Sequence, residues 1–353
     1  MKKLSREKRE RLIRLQKKRE HKRRNREKTF KRTRNENIGV DEIQAPQIFT
    51  IQSAPQRHDL LKFIERLRKK VMIENRSVRI NFSKTEKMFA DGTLLFYAEL
   101  DRLNRIKPQC IKIKATPPQN KKVSEVLNQI GIYGIVGSPK NPIMPSSDDV
   151  IHWRKATGKE VEGEKYNDIL DSYDGIIPGE LTRKLYIGIT EAMANCVHHA
   201  YIEKREDGIR IENPERRWWM FSQSKDGRLT VVFCDLGVGI PKTLPLTNPD
   251  FWSKLLSRIP IVSGKLEDAN IIKEAVEESR SRTGESHRGK GLSQLVDFVQ
   301  NQAKMDESRV TIFSNFGSVQ KSAGEEDYSI KNYRESILGT LIQWNVPIRE
   351  ENE

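Results

Sequence analysis

The stretch Glu191-Ala-Met-Ala-Asn195-Cys-Val-His198-His199-Ala200-Tyr201 lies within a segment with a clear helical pattern. Between residues 185 and 201 the only glycine is Gly188, and there is no proline. Apolar residues recur there at helical spacing, at Leu185, Ile189, Met193 and Val197. The pattern predicts a helix on which Glu191 and Asn195, four residues apart, share one face.

Glu191 and Asn195 are the side chains on this helix that can carry phosphate chemistry. The amide oxygen of Asn195 can ligate Mg²⁺, a hard cation that takes few protein ligands and completes its shell with phosphate oxygens and water. The carboxylate of Glu191 can deprotonate a water or hydroxyl that attacks the γ-phosphate of ATP. The alternative is an ordinary amphipathic helix with a solvated polar pair.

A second segment combines a buried strand with a glycine-rich turn. Residues 228–234 (RLTVVFC) form an apolar, β-branched run typical of a buried strand, and Asp235 follows directly. Gly237 and Gly239 allow the backbone to turn sharply and to approach a flat ligand closely. Asp235 can accept a hydrogen bond from the amino group of adenine. Taken alone, an Asp-Gly turn after a strand occurs in many folds.

A third segment, His287-Arg-Gly-Lys-Gly-Leu292, precedes a helical pattern that continues to about Val299. Backbone amides at a glycine-rich helix start form an anion site, to which Lys290 and Arg288 add positive charge. The residues that we expect at phosphate are Gly289, Lys290, Gly291 and Leu292. The segment lacks the spacing of a P-loop.

The three segments resemble the GHKL family of ATP-binding domains, which includes gyrase-type, chaperone-type, mismatch-repair and histidine-kinase ATPases. Glu191 and Asn195 match its N-box, residues 235–239 its first glycine box and residues 289–292 its second. Gly-Thr340 before the last apolar run looks like the place where the family binds adenine through water. An N-box that ends in His-Ala-Tyr is most similar to the anti-sigma-factor serine kinases.

The resemblance implies an α/β sandwich over residues 180–349 that binds ATP and Mg²⁺. It implies a cytoplasmic, bacterial-type switch that hydrolyses ATP or transfers its γ-phosphate to a protein, with an unidentified protein partner. The chain is also compatible with a homodimer. Residues 241–286 would form a lid over the nucleotide. The alternative function is a nucleic-acid-associated regulatory scaffold that binds ATP with negligible turnover.

Residues 46–137 alternate strand-like and helix-like patterns and predict a small α/β layer. The expected strands are 47–51, 77–82 and 110–115, and the expected helices are 58–71, 94–103 and 121–130. The stretch Ala90-Asp91-Gly92-Thr93 resembles the STAS domain of anti-sigma-factor antagonists, in which a Ser after the Asp accepts phosphate. Because Gly92 occupies that position, we interpret this domain as an interaction module and Thr93 as a helix-start residue. Residues 138–179, with several prolines, are expected to form a connector.

The positive charge of the chain is concentrated at its start. Residues 1–34 hold eighteen Lys or Arg against four Glu, which is +14 of the total of +15. We therefore expect nucleic-acid binding, if it occurs, to reside in a disordered or helical tail over 1–45. An anionic membrane surface and the absence of any partner are the alternatives.

Composition excludes other classes of protein. No apolar run approaches the length of a membrane span, and no secretory signal pattern is present, so we expect a cytoplasmic protein. Cys110, Cys196 and Cys234 lie far apart in apolar contexts and are expected to be reduced core residues. Adjacent helical residues point in different directions, so packing is favoured over metal binding for His198 and His199.

Overall fold

A computed structural model describes residues 40–137, 146, 147, 150, 153–162, 179–211, 214–259, 266–281, 296 and 308–347. The helices in these ranges are α1 (Ala54–Arg68), α2 (Ala90–Ile106), α3 (Lys121–Gln129), α4 (Ile132–Val136), α5 (Gly179–Asn195), α6 (Ile240–Thr247), α7 (Pro249–Leu256) and α8 (Asp268–Ser281). The strands are β1 (Asp41–Gln44), β2 (Ile48–Phe49), β3 (Val78–Asn81), β4 (Lys87–Met88), β5 (Ile113–Thr116), β6 (Arg154–Gly158), β7 (Trp218–Lys225), β8 (Arg228–Asp235), β9 (Arg309–Ser314), β10 (Gly317–Ser322), β11 (Ser329–Asn332) and β12 (Thr340–Pro347). This mixture confirms the α/β class.

The N-terminal layer is a three-stranded parallel sheet, in the order β1-β3-β5, with helices packed on it. Helices and strands occur where the sequence predicted them, although β2 pairs with β4 outside this sheet. Strand β1 was not predicted and lies within the segment 1–45 assigned to the tail. Only one of its four residues, Ile43, is buried, so the strand is too short to show an alternation of apolar and polar residues. Its pairing with β3 places it in the ordered layer.

Gly92 stands where the resemblance to STAS domains would place a phosphoacceptor serine, and close packing explains why this residue is a glycine. A Cβ on Gly92 would lie 2.4 Å from the backbone nitrogen of Thr50, so the start of α2 rests directly on the chain beside β2. The carboxylate of Asp91 accepts hydrogen bonds from the Thr50 hydroxyl and the Ile51 amide, each at 2.9 Å. Thr93 is fully buried in the first turn of α2. A serine at position 92 would not fit without movement of the backbone, and the hydroxyl of Thr93 has no access to a phosphate donor.

The C-terminal half contains a seven-stranded sheet in the order β11-β10-β9-β12-β8-β7-β6, and all of its neighbouring strands are antiparallel. Strand β8 is observed where the apolar run predicted it, and it lies beside β12 near the middle of the sheet. Strand β6 lies inside the segment 138–179 that was expected to be a connector. Its pairing with β7 corrects that expectation for Arg154–Gly158.

Both faces of the large sheet are covered. Along β8, Leu229, Val231 and Phe233 belong to a core shared with α5 and α8, whereas Val232 and Cys234 belong to the core that contains α2. The second core extends without interruption into the N-terminal layer. The two halves of the chain therefore pack as one body, with α2 between the small sheet and the large one.

A buried cluster of charges joins the two halves. Glu99 on α2 forms ion pairs with Arg68 and with Arg205, and Arg102 lies 2.6 Å from Asp207. Burial alone would raise the pKa of Glu99, but the surrounding guanidinium groups outweigh burial and lower that pKa to about 2. Displacing any member would leave a buried charge uncompensated, so the cluster fixes how the halves dock.

The segment expected to be a lid is partly built into the core. Helix α8 lies in this segment, and its Ile272 and Val276 pack against the large sheet. Helices α6 and α7 form a smaller apolar cluster with α8 that includes Phe251 and Leu255. Residues 260–265 and 282–286 of this segment lie outside the described residues. The lid interpretation is therefore wrong for α8, which is a layer of the fold.

The described residues contain no helix that is both long and apolar enough to span a membrane. Cys196 and Cys234 are buried as expected, but Cys110 is exposed in the turn between α2 and β5. Its apolar neighbours had suggested a core position. The basic segment 1–34 lies outside the described residues.

Candidate functional site

The predicted helix 185–201 is observed as α5 followed by one π-helical turn over Cys196–Ala200. Leu185, Ile189 and Met193 are fully buried against the large sheet, as the apolar spacing predicted. The next fully buried position is Cys196 and not Val197. Single π-helical turns within α-helices are frequent at functional sites.

Glu191 and Asn195 are both half-buried on this helix. Burial raises the pKa of the Glu191 carboxyl above its ordinary value, which is the direction that improves a general base at neutral pH. The side-chain nitrogen of Asn195 is buried and has no hydrogen-bond partner among the described residues. A buried N–H donor without a partner is costly, so this nitrogen marks a place where an acceptor such as a phosphate oxygen would be favourable. Mg²⁺ would bind the oxygen of the same amide.

Asp235 is the last residue of β8 and is buried. Its carboxylate accepts a hydrogen bond from the amide of Gly237 at 2.9 Å, and the Thr340 amide also bonds to it. Burial raises the pKa of Asp235 to about 6, since it outweighs both amides and the charge of Arg205, which lower the pKa. A carboxylate held in this way keeps acceptor capacity for one further donor.

The glycines after Asp235 are required by close contacts. A Cβ on Gly237 would lie 2.1 Å from the carbonyl oxygen of Ala200, the last residue of the π-helical turn. That carbonyl accepts a hydrogen bond from the Val238 amide at 2.8 Å. Gly239 has a φ of +84°, in the region that favours glycine, and a Cβ there would lie 2.5 Å from the side chain of Asn315. The π-helical turn after α5 and the glycine loop are thus packed backbone to backbone.

Thr340 is brought next to Asp235 by the pairing of β12 with β8. Its hydroxyl lies 3.1 Å from the hydroxyl of Ser314, the last residue of β9. Ser314 also accepts a hydrogen bond from the Ile240 amide at 2.9 Å, at the start of α6. Sequence reasoning missed Ser314, although it ends an apolar strand and is followed by the turn signal Asn315-Phe-Gly.

The side chains of Asp235 and Thr340 point to the face of the sheet that α5 covers. Alternate residues of a strand lie on the same face, so Asp235 lies on the face of Phe233 and Thr340 on the face of Ile342. Phe233 and Ile342 both belong to the core that contains α5. Cys196 lies close enough to Asp235 for that carboxylate to add to the effect of burial in raising the thiol pKa. The end of the helix and the ends of three neighbouring strands therefore meet at one edge of the sheet.

Tyr201 ties the helix to the glycine loop. Its hydroxyl donates a hydrogen bond to the carbonyl of Arg217 and accepts one from the Leu236 amide at 3.1 Å. Burial raises the pKa of this phenol well above its ordinary value, so it stays a neutral donor. The sequence marks Tyr201 only as part of the His-Ala-Tyr ending, and its hydrogen bonds to Arg217 and Leu236 cannot be predicted without the fold.

We expect Tyr201→Phe to lower the free energy of unfolding by about 1–3 kcal/mol, because the Leu236 amide and the Arg217 carbonyl would lose a buried partner. Urea unfolding of the full chain measures this change. An unchanged free energy of unfolding would mean that water replaces the hydroxyl and that the tie is dispensable.

The second glycine box, Gly289, Lys290, Gly291 and Leu292, lies outside the described residues. His198 and His199 are exposed, with ring centroids 6.2 Å apart. No group of three or more His, Cys, Asp or Glu that could hold a metal occurs in the described part of the chain. A magnesium ion held by Asn195 would therefore take its other ligands from phosphate and water, which is the usual manner for Mg²⁺.

No protein-family model matches this chain, and no curated protein matches it significantly.

Proposed function

We propose that the chain is a Mg·ATP-binding switch of the GHKL type that hydrolyses ATP or transfers its γ-phosphate to a protein. The observation that carries this proposal is the meeting of a buried strand-end carboxylate, Asp235, with two glycines that leave no room for a Cβ. The buried side-chain nitrogen of Asn195, a donor without a partner among the described residues, adds support because a phosphate oxygen could accept from it. These are the features that a nucleotide pocket between a helix and a sheet requires.

In this proposal each side chain has a separate task. Asp235 accepts a hydrogen bond from the adenine amino group, and Thr340 with Ser314 provides hydroxyls beside it. Asn195 contributes a ligand to Mg²⁺, which would neutralise phosphate charge when bound. Glu191 orients and deprotonates the attacking water or hydroxyl, helped by the raised pKa of its carboxyl.

A nucleic-acid-associated scaffold that binds ATP without turnover is the second candidate. The charge distribution favours it, since residues 1–34 carry +14. Such a tail would contact phosphates and would bind with little sequence selectivity and strong salt dependence. The two candidates share the nucleotide site and differ in what happens to the γ-phosphate.

The adenine role of Asp235 is tested by calorimetric titration with ATP and GTP. We expect ATP to bind more tightly than GTP, and Asp235→Asn to weaken ATP binding about tenfold to hundredfold, since a bond to a charged acceptor is lost. Because the pKa of Asp235 is about 6, ATP affinity should fall as the pH is lowered from 7 to 5. The Asn variant should lack this component, while the titration of ATP itself is common to both proteins.

Asp91→Asn is the matched control. Asp91 is likewise buried, accepts a backbone amide hydrogen bond and has a pKa raised by burial, but it lies in the N-terminal layer. It should change stability without changing the preference for ATP over GTP. Equal affinity of the wild type for the two nucleotides would remove Asp235 from the adenine role.

A further inference from the structure

Arg57 on α1 is a buried cation of the N-terminal layer that reaches into the large sheet. Its side chain is fully buried, and its guanidinium carbon lies 3.9 Å from the centre of the Tyr333 ring. One of its terminal nitrogens donates to the carbonyl of Asn315 at 3.0 Å and to the carbonyl of Glu335 at 3.1 Å. Burial lowers the pKa of Arg57 only to about 10, so it is charged at neutral pH.

Asn315, which Arg57 holds, is in direct contact with the glycine loop. Its side-chain nitrogen donates to the carbonyl of Val238, between Gly237 and Gly239, at 2.8 Å. Its backbone has a φ of +49°, an uncommon conformation for a residue other than glycine, and its amide bonds to the carbonyl of Gly339. Asn315 therefore touches both turns that flank Asp235 and Thr340.

The chain of contacts from Arg57 leads through one residue to the proposed adenine pocket. The side chain of Asn315 also fills the space beside Gly239 that a Cβ would need. Asn315 is the first residue of the two-residue turn between β9 and β10, a position where a positive φ is usual and Asn is tolerated. Arg57 adds a hydrogen bond to this turn from another part of the chain, 258 residues away.

We propose that Arg57 is a positioning residue, which holds Asn315 and through it the two turns that form the nucleotide pocket. The N-terminal layer is then part of the site and not a separate module, and a partner that displaced α1 would loosen the pocket. The role in nucleotide binding rests on the proposed function, whereas the positioning of the turns does not.

Arg57→Met and Arg68→Met in the full chain form a matched pair for the test. Both arginines are buried on α1, but Arg68 bonds to Glu99 and not to Asn315. Glu99 in turn pairs with Arg205, which donates to the Leu338 carbonyl, so the residues that separate the two variants are 236–240. Hydrogen–deuterium exchange of the nucleotide-free protein reports on the turns directly. Calorimetry with Mg·ATP reports on the pocket.

We expect Arg57→Met to speed amide exchange about tenfold or more in residues 236–240 and 338–340, the loss expected when hydrogen bonds of a charged donor are removed. ATP affinity should fall by a similar factor. Arg68→Met should leave amide exchange in residues 236–240 near its wild-type value, even if it destabilises the protein equally. Arg57→Lys, which keeps the charge, should produce the same pattern with a smaller amplitude, and it replaces the Met variant if that does not fold.

Equal effects of the two Met variants on exchange in residues 236–240 would overturn the proposal, because they would reflect general destabilisation. Unchanged exchange in Arg57→Met and Arg57→Lys would overturn it as well. A wild type that binds no ATP, combined with the expected exchange pattern, would reject the proposed function and leave the positioning role supported.

Discussion

Gly237→Ala is expected to abolish ATP binding and to lower the free energy of unfolding by about 3 kcal/mol. The new methyl group would lie 2.1 Å from the carbonyl oxygen of Ala200, which is backbone and cannot rotate away. Either the π-helical turn or the glycine loop would have to move. Movement would break the bond between Ala200 and Val238 and disturb the amide that Gly237 donates to Asp235.

Gly134→Ala is the control for this substitution. Gly134 lies in α4, and a Cβ there would meet nothing within 4 Å. An alanine in a helix is favoured over glycine by roughly 0.5–1 kcal/mol, so this variant should be as stable as the wild type or slightly more so. Urea unfolding and calorimetry with Mg·ATP measure both variants. A Gly237→Ala protein with wild-type stability would show that the close contact can relax at little cost.

Glu191→Gln is expected to slow γ-phosphate turnover by about 10²–10⁴-fold while leaving the affinity for Mg·ATP nearly unchanged. Glutamine keeps the size of the side chain and its hydrogen-bonding reach but cannot accept the proton. In the proposed function Glu191, half-buried and with a raised pKa, acts as the base and does not hold the nucleotide. The effect should therefore appear in kcat.

Single-turnover reactions with γ-labelled ATP measure this change and the fate of the phosphate. Label in inorganic phosphate identifies an ATPase, and label in protein identifies a kinase. Glu278→Gln, a half-buried glutamate on α8 that pairs with Arg258, is the control and should turn over normally. If Glu191→Gln matched the wild-type rate, Glu191 would have a structural role, and a wild type that binds ATP but releases no label would favour the scaffold.

The spacing of apolar residues in the sequence was sufficient to predict the long helices and strands of the fold. The run 228–234 predicted β8, and the apolar spacing over 185–201 predicted α5. The π-helical turn that follows α5, where Cys196 is buried instead of Val197, was not predicted. Each is long enough for its periodicity to be read without knowledge of its neighbours. The short strands β1 and β6 were missed, because a polar strand of four or five residues is defined by its pairing partner.

The residues of the candidate site likewise divide into those that the local sequence identified and those that only the fold brought to the site. The residues Glu191, Asn195, Asp235 and Thr340 could be chosen from the sequence because each ends or occupies a recognisable element. Their possible chemistry also followed from residue type. By contrast, Ser314, Asn315 and Arg57 stand in segments that the sequence had not connected to the site.

The sequence by itself determined the type and order of the long elements and the location of the basic charge, and it singled out the residues proposed to bind a nucleotide. Only the tertiary structure decided that the N-terminal layer shares a core with the large sheet and that Arg57 supports the glycine loop. The physical reason is that periodicity reflects interactions between residues a few positions apart. The bond from Arg57 to Asn315 joins positions 258 residues apart, and it exists only because α1 and the β9–β10 turn bury their polar groups against each other.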